Sequence, residues 1–140
     1  MGLTLAWHCL NLGASVRVID PNGIANGASG GIVGALAPHV PENWNAKKQF
    51  QLESLLYSQK FWKSVDSVSG LNSGYRRTGR LQPLLDEHSV ALAQKRKESA
   101  DNLWQNFATW DIIDNSKDWK LTSPTGLWIF DTLYLLRDRS

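Results

Sequence analysis

The sequence predicts an α/β fold, and three observations support that class. A helical apolar pattern near the N-terminus is followed at once by a short β-branched run. Further along, two longer amphipathic patterns alternate with short apolar runs bounded by turn residues. Between these parts lies GIANGASGGIVGALAP (residues 23–38), which holds five of the eleven glycines in its first twelve residues. Because residues 32–37 are mainly apolar, the stretch indicates backbone packed against a buried group rather than a solvated linker.

Composition narrows the class of protein. A length of 140 residues suits one domain, and 42% hydrophobic residues are enough for a core. Fifteen Lys and Arg against thirteen Asp and Glu give a net charge of +2. The sequence contains no block of like charge of the kind that predicts a surface for nucleic acid or an anionic membrane. The single cysteine, Cys9, excludes an internal disulfide, and the three histidines lack metal-ligand spacing.

The N-terminal apolar run does not read as a targeting or membrane segment. It has no basic leader, and it is too short and polar to span a bilayer. We therefore expect no membrane span and a cytoplasmic protein.

The first predicted element is a helix over residues 3–12, whose apolar residues recur at three- and four-residue spacing. Gly13 is expected to end this helix. Residues 15–20 (SVRVID) then predict a buried strand with Asp20 at its C-terminal end, followed by a turn at residues 21–23. Asp20 has two interpretations, because an acid at this place either stabilises the turn or binds a ligand.

The order of helix, turn and strand matches one half of a dinucleotide-binding βαβ unit. In the G-x-G-x-x-G fingerprint the third glycine opens the helix, and an acid roughly 20 residues further on binds the ribose. With Gly2 as the third glycine, Asp20 follows at that distance. The first strand and the first two glycines are then expected upstream of Met1. The prediction is an incomplete Rossmann-like portion.

Two longer helices follow the glycine-rich stretch. The first is predicted from its N-cap Asn45 to about Gly70. The second is predicted over residues 87–107, with the charge run 95–98 on a solvated face and Phe107 toward the core. The apolar side of the first helix comprises Leu52, Leu55, Leu56, Gln59, Trp62 and Val65; that of the second comprises Val90, Ala93, Ala100, Leu103 and Phe107.

Short strands are predicted around these helices. A loop at residues 71–78 leads to a strand at 79–85, which Pro83 assigns to a sheet edge. A strand at 109–114, a polar turn at 115–120, a loop at 122–126 and a strand at 127–130 complete the series. Asp131 or Thr132 is then expected to cap a final helix through Leu136.

The runs MGLTLAWHCLNLGASVRVID and GASGGIVGALAP resemble the N-terminal flavin-binding region of the D-amino acid oxidase and glycine oxidase superfamily of FAD-dependent oxidoreductases. The resemblance is specific over residues 2–38, looser through Leu85, and only compatible afterwards. It implies a Rossmann-like FAD-binding portion at 1–72, part of an α+β substrate domain at 73–123, and the start of a return to the FAD-binding domain at 124–140. The motifs GASG (residues 27–30) and GALAP (residues 34–38) also resemble the flavin domain of bifunctional enzymes that complete a wobble-uridine modification in tRNA.

The same resemblance implies a set of FAD-binding residues. Asp20 holds the adenosine ribose, and Gly2 stands as the third glycine of the fingerprint. The segment Ala28-Ser29-Gly30-Gly31 runs along the pyrophosphate and ribityl chain. The segment Gly34-Ala35-Leu36 brings backbone to the isoalloxazine ring, with a positive φ at Gly34 if the turn needs it. No catalytic residue is assigned, since flavin supplies the redox chemistry.

Three hypotheses for function remain open. The first is FAD-dependent oxidation of the C–N bond of a small-molecule amino acid or secondary amine, by hydride transfer to flavin. The second is an α/β module without cofactor, and the third is a nucleic-acid-associated protein that uses GYRRTGR (residues 74–80). His39 is a candidate for lining the site because it lies near the proposed flavin loop, and Tyr75 and Arg80 are candidates for substrate binding by residue type alone. Because the first strand and two glycines are absent, these 140 residues alone are expected neither to retain FAD nor to oxidise an amine.

Overall fold

The computed structural model describes residues 2–27, 30–31, 33–114, 122–133 and 135–138. Within those ranges it contains three helices and six strands. The chain divides into two compact units, residues 1–31 and residues 32–140. None of the helices in the described ranges is both long enough and apolar enough to cross a membrane.

The first unit contains the predicted N-terminal helix, α1 (Gly2–Asn11). Gly13 ends it with a φ of 82°, and the Gly13 N–H donates to the Leu10 carbonyl at 2.9 Å. Ala6 is the buried residue of this helix, whereas Leu5 and Leu10 are mainly exposed. The apolar spacing therefore predicted the helix correctly, and on its apolar face Ala6 is buried and Trp7 half-buried, while Leu3 and Leu10 are exposed.

The strand predicted at residues 15–20 is wrong. Residues 14–20 have no regular secondary structure and are all exposed, and no described strand pairs with them. A β-branched run becomes a strand only where a neighbouring segment takes its backbone hydrogen bonds. The turn that follows is confirmed, since Asp20 Oδ1 accepts a hydrogen bond from the Asn22 N–H at 2.9 Å.

The second unit contains two antiparallel sheets of three strands each. In chain order the strands are β1 (Val33–Leu36), β2 (Tyr75–Arg76), β3 (Arg80–Pro83), β4 (Trp110–Ile113), β5 (Trp128–Asp131) and β6 (Leu135–Asp138). The first sheet has the order β1-β6-β2, and the second has the order β3-β5-β4. The chain therefore passes from the first sheet to the second and returns to the first in β6. Pro83 lies in an edge strand, as predicted, and the parallel pairing typical of a Rossmann-like sheet does not occur among the described strands.

The final helix predicted from Asp131 or Thr132 is wrong, because β6 occupies its place. Asp131 accepts a hydrogen bond from the Leu133 N–H at 2.9 Å within a turn, and the chain then pairs with β1 on one side and β2 on the other. A strand between the edges of β1 and β2 forms hydrogen bonds with more of its own N–H and C=O groups than a short helix at the same place would. For the same reason β2 forms within the predicted loop 71–78.

The two longer helices are α2 (Ala46–Ser69) and α3 (Glu87–Trp104). The Asn45 side chain caps α2 by accepting from the Lys48 N–H at 3.1 Å, and Gly70 ends it in the left-handed region at φ 68°. Asp86 and Ser89 form a capping box at the start of α3. The predicted end at Phe107 is wrong: α3 ends three residues earlier, and the Phe107 side chain is mainly exposed.

The core of the second unit joins α2, α3 and the second sheet. Its buried members are Leu52, Leu55, Leu84, Ala93, Ala100, Trp104, Trp110, Ile129 and Leu133. Trp104 is fully buried and packs edge to face on Trp110, with ring centroids 6.1 Å apart. The predicted core residues of α2 and α3 are buried or half-buried except Gln59 and Phe107, which are exposed.

Polar residues 115–120, predicted to form a turn, lie outside the described part of the chain. The predicted strand at 109–114 is confirmed as β4, and the one at 127–130 as β5.

Candidate flavin-binding site

Gly2 and Asp20 belong to the first unit, and both are exposed. Gly2 is the first residue of α1, where backbone N–H groups have no partner within the helix. A Cβ at Gly2 would have no atom within 4 Å, so a phosphate could approach these N–H groups closely. Asp20 uses one carboxylate oxygen for its turn, through the Asn22 N–H.

The glycine-rich segment at 28–31 is described in part. Ala28 and Ser29 lie outside the described residues, while Gly30 and Gly31 are exposed. The Gly30 N–H donates to the Gly27 carbonyl at 2.9 Å, and a Cβ on Gly30 would lie 2.3 Å from the Ala25 carbonyl oxygen. The contact with Ala25 explains the glycine at position 30, and a role in binding pyrophosphate stays a prediction.

Gly34, Ala35 and Leu36 lie together on β1, in the second unit. Gly34 and Ala35 are exposed, whereas Leu36 is half-buried and packs against the core. Gly34 does not have a positive φ, so the conformational reason suggested for this glycine is wrong. A Cβ there would also have no atom within 4 Å. Within the described part of the chain Gly34 therefore has open space beside its backbone, which a planar ligand could occupy.

The chain that follows β1, residues 37–43, is bound to α2 by two side chains. Gln51 Nε2 donates to the Ala37 carbonyl at 3.1 Å, and Gln51 Oε1 accepts from the His39 N–H at 2.8 Å. Lys48 Nζ donates to the carbonyls of Val40 and Glu42. Sequence patterns did not identify these contacts, because a single Gln or Lys on an amphipathic helix carries no positional signal.

An ion pair links this same segment to α3. Arg96 donates to both carboxylate oxygens of Glu42, with N–O distances of 2.9 and 2.8 Å. The hydrogen bond from Arg96 and its positive charge hold the pKa of Glu42 below the ordinary value, with a smaller contribution from Lys48. The predicted solvated face at 95–98 is therefore wrong for Arg96, whereas the Lys97 side chain stays partly exposed, with its ammonium group 3.3 Å from a carboxylate oxygen of Asp111.

Glu42→Gln is expected to lower the free energy of unfolding by about 1 kcal/mol at neutral pH, because Arg96 loses its carboxylate partner. The pKa of Glu42 is lowered by folding, so its contribution is complete above the ordinary carboxyl pKa of 4.5 and is lost as the pH falls through the lower folded value. Urea unfolding of both proteins at several pH values measures the difference.

Glu98→Gln, at an exposed glutamate of α3, is the matched control and should change stability little. A Glu42→Gln difference that persists unchanged at the lowest pH would contradict the assignment to the charged pair.

Arg80 and Tyr75 are not free substrate ligands in this structure. Arg80 Nη2 lies 3.2 Å from the carboxylate of Asp131, which is fully buried, so Arg80 serves a structural ion pair. Tyr75 is half-buried against the core, and this burial raises the pKa of its hydroxyl. His39 lines a small pocket with Lys48 and Trp104.

The arginine-containing loop also binds the chain itself. Arg77 donates to the carbonyls of Thr132, at 3.0 Å, and Phe107. With Arg80 paired to Asp131, two of the three arginines of GYRRTGR have internal partners, which argues against this loop as a nucleic-acid-binding surface. Over the described residues no group of His, Cys, Asp and Glu could hold a metal ion.

The chain belongs to the family of FAD-dependent oxidoreductases, since the family model described as "DAO: FAD dependent oxidoreductase" matches residues 1–130. The predicted family is thus confirmed. Among curated proteins the chain is similar to the tRNA 5-methylaminomethyl-2-thiouridine biosynthesis bifunctional protein MnmC of Hydrogenovibrio crunogenus (strain DSM 25203 / XCL-2), with 28% identity over 121 residues. The alignment covers 84% of this chain and 17% of that relative. No solved structure matches the chain significantly.

Proposed function

We propose that the protein carrying these residues oxidises the C–N bond of an amino acid or secondary amine, with FAD as the hydride acceptor. The observation that carries this proposal is the family match over residues 1–130. Bound FAD supplies the redox chemistry in such enzymes, so the chain's own residues bind and orient the cofactor and exclude water from it.

The described residues fit that cofactor. The space beside Gly34 admits a flat ring against the β1 backbone, and the space at Gly2 admits an anion at the start of α1. Asp20 offers an exposed carboxylate that would accept hydrogen bonds from ribose hydroxyls. We propose that Gly2, Asp20 and the segments 28–31 and 34–36 bind FAD, as the resemblance to the family implies; Ala28 and Ser29 lie outside the described residues.

The domain division is part of the proposal. The FAD-binding portion takes residues 1–72 in a Rossmann-like arrangement, the partial substrate domain takes 73–123, and 124–140 begin the return. This division rests on the resemblance to the family; in the structure α2 shares one core with α3 and the second sheet. We also propose a cytoplasmic location.

A second candidate substrate follows from the relative's name. A methylaminomethyl group is itself a secondary amine, and the MnmC relative is named for a tRNA uridine that carries one. The same flavin chemistry would then act on an amine attached to RNA. The net charge of +2 favours a small free amine as the substrate that this part of the protein meets.

Anaerobic titration of the FAD-loaded protein that carries these residues, rather than of the 140 residues alone, tests both substrates. Bleaching of the visible flavin absorption by glycine, an N-methyl amino acid or a D-amino acid supports the first, and bleaching by tRNA with an alkylaminomethyl uridine but not by free amines supports the second. A protein that binds no flavin under any condition would contradict the proposal.

In the full protein that carries these residues, Asp20→Ala is expected to weaken FAD binding by about 1–3 kcal/mol, because the ribose hydroxyls lose a charged acceptor. The measurement is the FAD dissociation constant of the apoprotein, from quenching of flavin fluorescence.

Asp20→Asn separates the ligand role from the turn role. Asparagine keeps an oxygen that accepts from the Asn22 N–H but removes the charge. Both variants should weaken FAD binding if Asp20 contacts the ribose. Loss of affinity in Asp20→Ala alone would assign Asp20 to the turn.

A further inference from the structure

The Gln51 side chain binds the backbone on both sides of Pro38. Its Nε2 donates to the Ala37 carbonyl at 3.1 Å, and its Oε1 accepts from the His39 N–H at 2.8 Å. Both distances are those of well-formed hydrogen bonds. Pro38 between them has no N–H of its own to donate.

These two hydrogen bonds have the pattern that a neighbouring strand makes in a parallel sheet. In a parallel pair one residue bonds to the carbonyl before and to the N–H after the residue opposite it. The primary amide of Gln51 presents one donor and one acceptor in the same way. Gln51 thus adds hydrogen bonds to the chain just after β1, whose described pairing with β6 runs from Val33 to Leu36.

Gln51 is itself firmly placed. It is half-buried on α2 and directly precedes Leu52, a core residue that is 5% exposed. Three residues earlier on the helix, Lys48 binds the later part of the same segment through the carbonyls of Val40 and Glu42. The Gln51 side chain therefore fixes the backbone at 37–39 relative to the core, and no strand in the described ranges pairs with these three residues.

We infer that Gln51 is a positioning residue of the flavin site, which sets where the backbone of residues 34–36 lies by holding the chain immediately after it. This inference rests on the proposed function, because the ligand that contacts β1 there is FAD. Gln51 acts through the backbone of Ala37 and His39 and is not assigned a contact with the flavin.

The test compares Gln51→Leu with Gln49→Leu in the flavoprotein. Gln49 lies on the same helix but is exposed, and its side chain contacts Trp44 and Glu53 rather than residues 37–39. Gln51→Leu is expected to weaken FAD binding on the order of ten-fold, through loss of two hydrogen bonds, and to shift the visible spectrum of the flavin at saturation. Gln49→Leu should leave affinity and spectrum unchanged.

Gln51→Glu provides a conditional rescue. Its carboxylate still accepts from the His39 N–H but cannot donate to the Ala37 carbonyl, whereas the protonated acid can do both. The spectral shift should be present at about pH 7 and reduced at about pH 4, below the ordinary glutamate pKa of about 4.3. His39 and Lys48 line the same pocket with Gln51, together with apolar residues of α2 and Trp104 of α3, so the wild-type protein is measured at each pH as the reference.

Amide hydrogen exchange gives a readout that does not need flavin. In Gln51→Leu the His39 N–H should exchange faster while the melting temperature changes little. Unchanged flavin affinity and spectrum in a folded Gln51→Leu protein would overturn the inference while leaving the proposed function intact. A wild-type protein that never binds FAD would overturn both.

Discussion

In the full protein that carries these residues, Gly34→Val is expected to abolish FAD incorporation while the protein remains folded. Valine suits a strand, the φ at position 34 is not positive, and a Cβ there meets no atom within 4 Å. The chain itself therefore tolerates the side chain. A flavin ring lying against the β1 backbone would not, because the branched group fills the space that the ring needs. The measurement is the ratio of flavin to protein after purification, from the visible and ultraviolet absorbance.

Two further variants make this result specific. Gly34→Ala should give a smaller loss, because a single methyl group takes less of the space. Ala37→Val, at an exposed position just after β1, is the matched control and should keep its flavin. Full flavin content and activity in Gly34→Val would mean that the ring binds elsewhere. Loss of flavin together with a large drop in melting temperature would assign Gly34 a structural role instead.

Trp104→Ala is expected to lower the free energy of unfolding by about 3–5 kcal/mol. Trp104 is 0% exposed, lies in the core where α2, α3 and the second sheet meet, and packs on the ring of Trp110. Alanine removes the indole ring from its contacts in this core and leaves a cavity that the two helices and the second sheet cannot close. A loss of this size is a large fraction of the roughly 5–15 kcal/mol that stabilises a typical domain. Urea unfolding followed by far-ultraviolet circular dichroism measures it.

Trp104→Phe should cost far less. The Trp104 indole N–H is buried and has no hydrogen-bond partner in the described structure, so phenylalanine removes an unsatisfied donor together with part of the ring. We expect a change within about 1 kcal/mol, because the two effects oppose each other. Equal destabilisation by Phe and Ala would show that the N–H has a partner, and a small effect of Ala would contradict the core assignment.

The candidate site was predictable from sequence to the level of residue types in a known order. Gly2 and Asp20 could be selected because a glycine and an acid at a set distance carry a signal along the chain, and the segment 34–36 because of the resemblance to the family. Gln51 could not be selected, since its contacts lie 12 and 14 residues away in sequence and involve only backbone atoms. The pairing of Arg96 with Glu42 spans 54 residues and replaced an expected solvated face for the same reason.

Local chemistry determined the helices. Asn45 and Gly70 cap the two ends of α2 as predicted, since a capping side chain and a glycine with positive φ act on the adjacent turn alone. The resemblance to the family of FAD-dependent oxidoreductases was likewise recognisable in residues 2–38. Strands were decided by the tertiary structure, because a strand exists only where another segment accepts its hydrogen bonds. Residues 15–20 lack such a neighbour among the described residues, while residues 135–138 have β1 and β2 on either side, and these form a strand where the sequence alone predicts the end of a helix.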